Sequence, residues 1–489
     1  MMGVCLATAW RRQDSLGVAS MARFDLAPVD PDIEPFVRKS AGGSWYSSKG
    51  NMLWTEPTSD QAQGEAILSH ELSHFFVHVG TPYGMLIESL GQLQERLVLQ
   101  YCAALAAQGS PIRYPVHGYV QRADALVDPS LVTKYVRPWS RLVQLERILD
   151  GSNVRAVRDA TIPDAIELLA DLEDLERAQL AADGGNPADL GERPSFDPML
   201  ADALNNLAFT PACPRFSPAN REETVAGGAA LFEGLAQAAE RMVYPEHWDM
   251  LLRGMSRDQY LGFYASVFMT YGLERADSQE DFGRVFQSFI ALCDLALQTP
   301  IGSIYGKLRT PGCDYGDLHP GWRFVRLLDH MTDDDWIESL DDLPSLQKSL
   351  AARLGWPDPR MFQLIGSSSD QPAHAEAMRI RQREPAFHLF LADSASPFLA
   401  EYGPLTRDPR TGEIMPSLHD RVKLGPVVNY IMWRLTWQVM MGPRLDIDEA
   451  LPEGIYGRKW FENIDTKQDL ATLFFDAVPM LNPGHFVLT

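Results

Sequence analysis

The amino-acid sequence predicts a mainly α-helical protein with a small β element near the N-terminus. Three observations carry this. Helical patterns recur from about residue 59 to residue 476, separated by Pro- and Gly-rich breaks. Strand signals gather in one place, residues 36–56. The composition is that of a globular chain: 489 residues, 45% hydrophobic and 22% charged, with no internal repeat and no low-complexity tract. That length buries a large core without help from disulfides or metal, and is a soft prior for about three domains.

The elements follow in order. Trp45-Tyr46 and Met52-Leu53-Trp54 flank Ser47-Ser48-Lys49-Gly50-Asn51, a turn sequence, so they read as a hairpin. Thr58, Ser59 and Asp60 offer an N-cap for a helix running to Val79, which Gly80 and Pro82 stop. A second helix follows at 85–107. Further helices are expected near 129–150, 163–183, 224–243, 257–272, 278–298, 320–331, 372–393, 417–441 and 466–476. Segment 183–222, rich in Pro, Gly and Asn, reads as a long loop or the boundary of an insertion, and 401–416 as another loop.

Charge and cysteine usage exclude several classes. The 65 acidic and 43 basic residues give a net charge of −22, which argues against a nucleic-acid backbone or an anionic membrane as the main partner. The five cysteines are scattered without a CxxC pair, so a zinc ribbon, a thioredoxin-like motif and a disulfide framework are all disfavoured. The first charges come after ten residues, too early for a secretory signal. Met2 and Met21 are both possible starts. The most apolar stretch, 424–441, contains Asn429, Arg434 and Gln438 and suits a buried helix better than a membrane span. A cytoplasmic location is expected.

One short stretch speaks of chemistry. Residues 70–74 read His70-Glu71-Leu72-Ser73-His74, an HExxH. On a helix, positions i and i+4 share a face, about 6 Å apart along the axis, so two imidazoles can converge on one metal ion. Glu71 beside them can act as general base on a water whose pKa the ion lowers to about 7. With this composition, an accidental HExxH arises in roughly one or two chains per hundred, and here the motif also sits in a capped helix preceded by a strand. His78 continues the same helix about 12 Å beyond His70, too far to share an ion held by bonds of about 2 Å. It reads as packing, or as a partner to the ligands.

A third ligand must come from elsewhere. On spacing alone, Glu88 and Glu95 on the next helix are candidates. Residues 231–240 contain Glu233-Gly234-Leu235-Ala236. Together with the HExxH this resembles the gluzincin branch of the zincin metallopeptidases, in which a helix of pattern EG-(apolar)-A supplies the zinc-binding Glu. The resemblance implies His70, His74 and Glu233 as ligands, Glu71 as catalytic base and Zn2+ as the ion. Gly234 and Ala236 are small, which would let that helix approach the HExxH helix closely. The chain departs from the gluzincin pattern in its interval, since Glu233 lies 159 residues after His74. Read this way, 1–110 holds the β element and the active-site helix, 111–222 is a helical insertion ending in the Pro/Gly-rich loop, and 223–489 is a helical region opening with the EGLA helix. The fold expected is a zincin-like core with a helical insertion and a helical C-terminal region. The run 69–84 is also similar to that of large bacterial HExxH proteins, some of them suspected of roles in defence.

A donor to a developing oxyanion is still required. Tyr83, Tyr244, Tyr264, Tyr315 and His319 are candidates, with the loop 312–320 carrying Tyr315 and His319 the most site-like, although a plain turn before a helix explains it as well. The strand at Met52–Trp54 can pair with an extended peptide. Gly302 to Leu308 lacks the spacing and the Ser/Thr of a phosphate loop, and Asp333-Asp334-Asp335 lacks the Gly and Glu of a calcium loop. The leading expectation is a zinc metallopeptidase acting on a protein or peptide substrate, with a preference for basic ones left open by the charge. The rivals are a non-haem Fe2+, 2-oxoglutarate-type oxygenase with the same ligands, and a non-enzymatic interaction protein with a structural metal site.

Overall fold

The computed structural model describes residues 43–46, 52–55, 61–122, 124–151, 157, 159–190, 210–216, 224–243, 279–302, 304–385, 397–404, 436–437, 439–441 and 486–488. The helices expected at 257–272 and 466–476, most of 417–441, and Tyr244 and Tyr264 lie outside these residues.

The hairpin forms as expected. β1 (Gly43–Tyr46) pairs antiparallel with β2 (Met52–Thr55), Tyr46 opposite Met52. Both strands pack on α1 (Gln61–Val79), the helix that carries the HExxH. α2 (Pro82–Ala107) follows after a two-residue corner. Thr81 shapes that corner twice: its hydroxyl donates to the Val77 carbonyl at 2.7 Å and accepts the Gly84 amide at 3.1 Å. Gly84 is required there, because a Cβ would lie 1.9 Å from the His78 carbonyl oxygen.

β3 (Ile112–Tyr114) and the short α3 (Val116–Val120) lead to α4 (Arg137–Asp150), which packs on α2 and is entered through a π-helical turn at Val132–Val136. α5 (Ile162–Ala182) packs on α4 and is capped by reciprocal bonds between Thr161 and Asp164. The two-residue strands β4 (Arg215–Phe216) and β5 (Thr224–Val225) pair just before α6 (Gly228–Val243). Among the described elements α6 makes its most extensive interface with α1, and it also packs on α7 (Gln279–Leu297).

Next come the short α8 (Tyr315–Leu318), α9 (Pro320–His330), α10 (Leu343–Arg353), α11 (Pro359–Gly366), α12 (Pro372–Arg381) and α13 (Pro397–Tyr402). β6 (Phe486–Leu488) returns to pair parallel with β3. The structure is therefore mainly helical with three small two-stranded sheets among the described residues. The largest core joins Val77, Leu86 and Leu97 with Trp139 and Leu169, and with Leu231, Phe289 and Phe324, so residues from all three sequence segments share it. No described helix is long and apolar enough to cross a membrane, and the four described cysteines are free.

α12 anchors the end of the HExxH helix. Helices end in carbonyls with no intrahelical partner. Here His374 Nδ1–H donates to the Val79 carbonyl at 2.6 Å, and Arg381 Nη1 donates to the Gly80 carbonyl at 2.7 Å. The Tyr305 hydroxyl then donates to His374 Nε2, which fixes the tautomer. Arg381 is also paired with Asp294 on α7, both fully buried. Breaking such a pair costs about 3–5 kcal/mol.

Burial, opposed by the Val79 carbonyl, pushes the His374 pKa down to about 4. The unfolded imidazole titrates near about 6.5. Between those values the folded chain binds fewer protons than the unfolded one, so the linked stability is complete above about pH 6.5 and is lost as pH falls towards 4. We expect the urea midpoint to drop over that window, and His374→Gln to flatten the drop by up to about 3 kcal/mol.

Candidate metal centre

The HExxH helix and α6 meet at their polar faces. His70 Nε2 lies 3.4 Å from Glu233 Oε1, His74 Nε2 lies 3.3 Å from Glu233 Oε2, and the two Nε2 atoms are 3.1 Å apart. The two rings stand edge to face, with centroids 4.8 Å apart. One carboxylate thus bridges two imidazoles from the next helix. Two nitrogens and an oxygen converging this way form the single group among the described residues that could hold a metal ion.

The dimensions can be tested. A tetrahedral ion with bonds of about 2.0–2.1 Å sets neighbouring donor atoms about 3.3–3.4 Å apart. The separations of 3.1, 3.3 and 3.4 Å are close to that, so the residues fit an ion with little rearrangement. Imidazole with carboxylate suits zinc or iron, whereas calcium and magnesium take oxygen donors alone. The His side chains are 14% exposed and that of Glu233 25%, so the cluster opens to solvent on one side.

Electrostatics favour the cluster. Burial alone would lower the His70 pKa, but Glu233 and then Glu240 outweigh it and carry it well above the usual range. Burial would likewise raise Glu233, yet His70 and His74 hold its carboxyl well below the usual range. Each group therefore favours the charged form of the other, and an ion bound there would displace a proton from the imidazole.

Glu71 follows His70 and is buried. At about 100° per residue it sits roughly 60° around the helix from His74, on the flank of the cluster.

Two neighbours escaped the sequence reading. Glu240 Oε2 lies 3.0 Å from His70 Nδ1, and Gln237 Nε2 donates to Glu233 Oε1 at 2.9 Å. Their positions, i+4 and i+7 from Glu233, were a signal that this helix turns one polar face inward.

The other candidates are placed elsewhere. Glu88 is 3.4 Å from His78 Nε2 and accepts from Gln92 at 2.7 Å, so it is a partner of His78 and not a member of the cluster. Glu95 is also outside the cluster, and its carboxyl is raised to about 7 by burial and then by Glu88. The room that Gly234 makes is against α7, where a Cβ would meet the Phe289 ring at 3.0 Å, and not against the HExxH helix as the sequence suggested.

The transition-state donors expected in loop 312–320 are instead structural. His319 is completely buried, and its Nδ1 accepts the amides of Gly321 and Trp322 at 3.1 and 3.3 Å. Its Nε2–H therefore donates to the Ile148 carbonyl at 2.9 Å. Burial pushes its pKa down to about 4. Tyr315 is buried against the His319 ring. The Asp and Gly signals of the loop belong to a capping box between Asp314 and Asp317, bridged by Arg326. Tyr83 is buried with its hydroxyl 3.4 Å from Asp150, against Gly228, where a Cβ would meet the ring at 2.1 Å.

No protein-family model, no curated protein and no solved structure matches this chain.

We expect one equivalent of Zn2+ per chain to raise the melting temperature of chelator-treated protein, and His70→Ala and Glu233→Ala to remove the shift. His319→Asn should lower the melting temperature, by about 1–3 kcal/mol of lost bonding, while leaving zinc binding as in the wild type. Equal shifts in all four proteins would contradict this assignment.

Proposed function

We propose that the protein is a zinc-dependent metallopeptidase cleaving a protein or peptide substrate, with a zincin-like core of the gluzincin kind. The observation that carries this reading is the convergence of His70, His74 and Glu233 at 3.1–3.4 Å beside a buried Glu71. Zinc, when bound, supplies Lewis acidity to a scissile carbonyl and lowers the pKa of a water to about 7. His70, His74 and Glu233 would hold the ion, and the partial exposure of their side chains would leave a side open for substrate. Glu71 takes the proton of the attacking water and returns it to the leaving amine. The hairpin packs on the same helix, and each of its strands has one partner among the described residues. An extended peptide can therefore add to its edge. The charge of −22 favours basic substrates. We place the protein in the cytoplasm.

The reading predicts that Glu71→Gln keeps one zinc per chain and loses cleavage by a factor of at least about 10², measured with a peptide library read by mass spectrometry. A variant that cleaves as the wild type does would contradict the mechanism. Stoichiometric iron in anaerobically purified protein, with turnover of 2-oxoglutarate, would replace the peptidase reading by an oxygenase one.

A further inference from the structure

We propose that Glu240 is a positioning residue for the metal site, fixing the tautomer and ring direction of His70, while Gln237 does the same for the Glu233 carboxylate. The inference rests on reading the His70, His74 and Glu233 cluster as a metal site. It is carried by the placement of three side chains on one helix.

Glu233, Gln237 and Glu240 stand at i, i+4 and i+7 of α6 and so share a face. That face is the one α6 turns to the HExxH helix. Glu240 is buried, and a buried carboxylate is costly unless something compensates it. It meets the ring of His70, with Oε2 3.0 Å from Nδ1. The carboxylate accepts, so Nδ1 carries the hydrogen and donates it. A neutral imidazole with its hydrogen on Nδ1 has its lone pair on Nε2. Nε2 is the atom that faces His74 Nε2 at 3.1 Å and Glu233 at 3.4 Å. Glu240 thus selects the tautomer that ligation needs and aims the ring at the same time. A bound carboxylate behind a ligating imidazole also raises its basicity.

Gln237 works on the other ligand. It is buried, and its Nε2 donates to Glu233 Oε1 at 2.9 Å. That bond leaves Oε2, the oxygen 3.3 Å from His74 Nε2, free of any competing donor from Gln237. Both outer contacts come from the helix that supplies the carboxylate ligand. A rotation of α6 by one residue, about 100°, would remove all three side chains from the site together.

The test uses the full chain, stripped with a chelator and titrated with Zn2+ against a chromophoric competitor. Co2+ serves as a spectroscopic probe of ligand geometry. Loss of the outer partner typically weakens metal binding about 10–100-fold. We expect E240A to show a loss in that range together with a changed Co2+ visible spectrum. E240Q keeps an acceptor oxygen at the same place, so it should lose less affinity and keep a spectrum close to wild type. It also has nearly the shape of the native side chain, which guards against simple failure to fold. A purely structural role for Glu240 would lower the melting temperature of the stripped protein and leave the spectrum alone.

Wild-type affinity and spectrum in E240A would overturn the proposal, as would equal losses in E240A and E240Q. If the wild type binds no ion more tightly than H70A does, the metal-site reading itself fails and this inference falls with it. Binding by the wild type with an unaffected E240A refutes the positioning role alone.

Discussion

The structure depends on the way α6 docks against the HExxH helix through Glu233 and Glu240. Glu240 is buried and the Glu233 side chain is 25% exposed, and a carboxylate removed from water is costly unless a partner compensates it. His70 and His74 compensate them, with contacts of 3.0 Å to Glu240 and of 3.3 and 3.4 Å to Glu233. The residues are far apart in sequence, so this contact sets the register of two distant segments. Surrounding packing then holds it. Gly234 lets α7 approach the back of α6, and α12 ties down the last carbonyls of α1 through His374 and Arg381. The site is built from rigid helices and not from loops, which suits a centre whose ligand atoms must stay within a few tenths of an ångström.

Histidine is used in two opposite ways. His70 lies between two carboxylates, and its pKa is carried upward against the effect of burial. His319 and His374 are buried with both ring nitrogens committed to neutral partners, and burial pushes each down to about 4. The physical difference is the partner. An acidic neighbour favours the protonated imidazole, whose proton a metal ion can displace. A backbone carbonyl makes it a neutral cross-link with no lone pair to spare.

Much of the frame was legible in the sequence, and the reasons for the gaps are specific. The hairpin and the HExxH helix were readable because turn, cap and stop signals bracket them. Glu233 was reachable only through the resemblance of a four-residue pattern, since nothing in periodicity says that a helix 159 residues beyond His74 returns to it. Glu240 and Gln237 were missed because their meaning depends on which face of α6 turns inward, and tertiary packing decides that. Glu88 and Glu95 looked suitable by spacing, but the corner at Gly80 and Thr81 brings Glu88 to His78 instead. α10 and α11 went unnoticed because each is short and carries a proline, Pro344 or Pro359, in its first two positions, where it reads as a breaker. The pairing of residues 112–114 with 486–488 has no local signal at all. His319 was a candidate beside the plainer reading of its loop as a turn before a helix, and the capping box between Asp314 and Asp317 agrees with that plainer reading.

The central claim is that His70, His74 and Glu233 together hold one ion. X-ray absorption at the metal edge of the purified protein tests it most directly. The account predicts zinc at one equivalent, with a first shell of nitrogen and oxygen donors only, at about 2.0–2.1 Å, and loss of that shell in Glu233→Ala. A sulfur-containing shell, or an unchanged shell in Glu233→Ala, would contradict it.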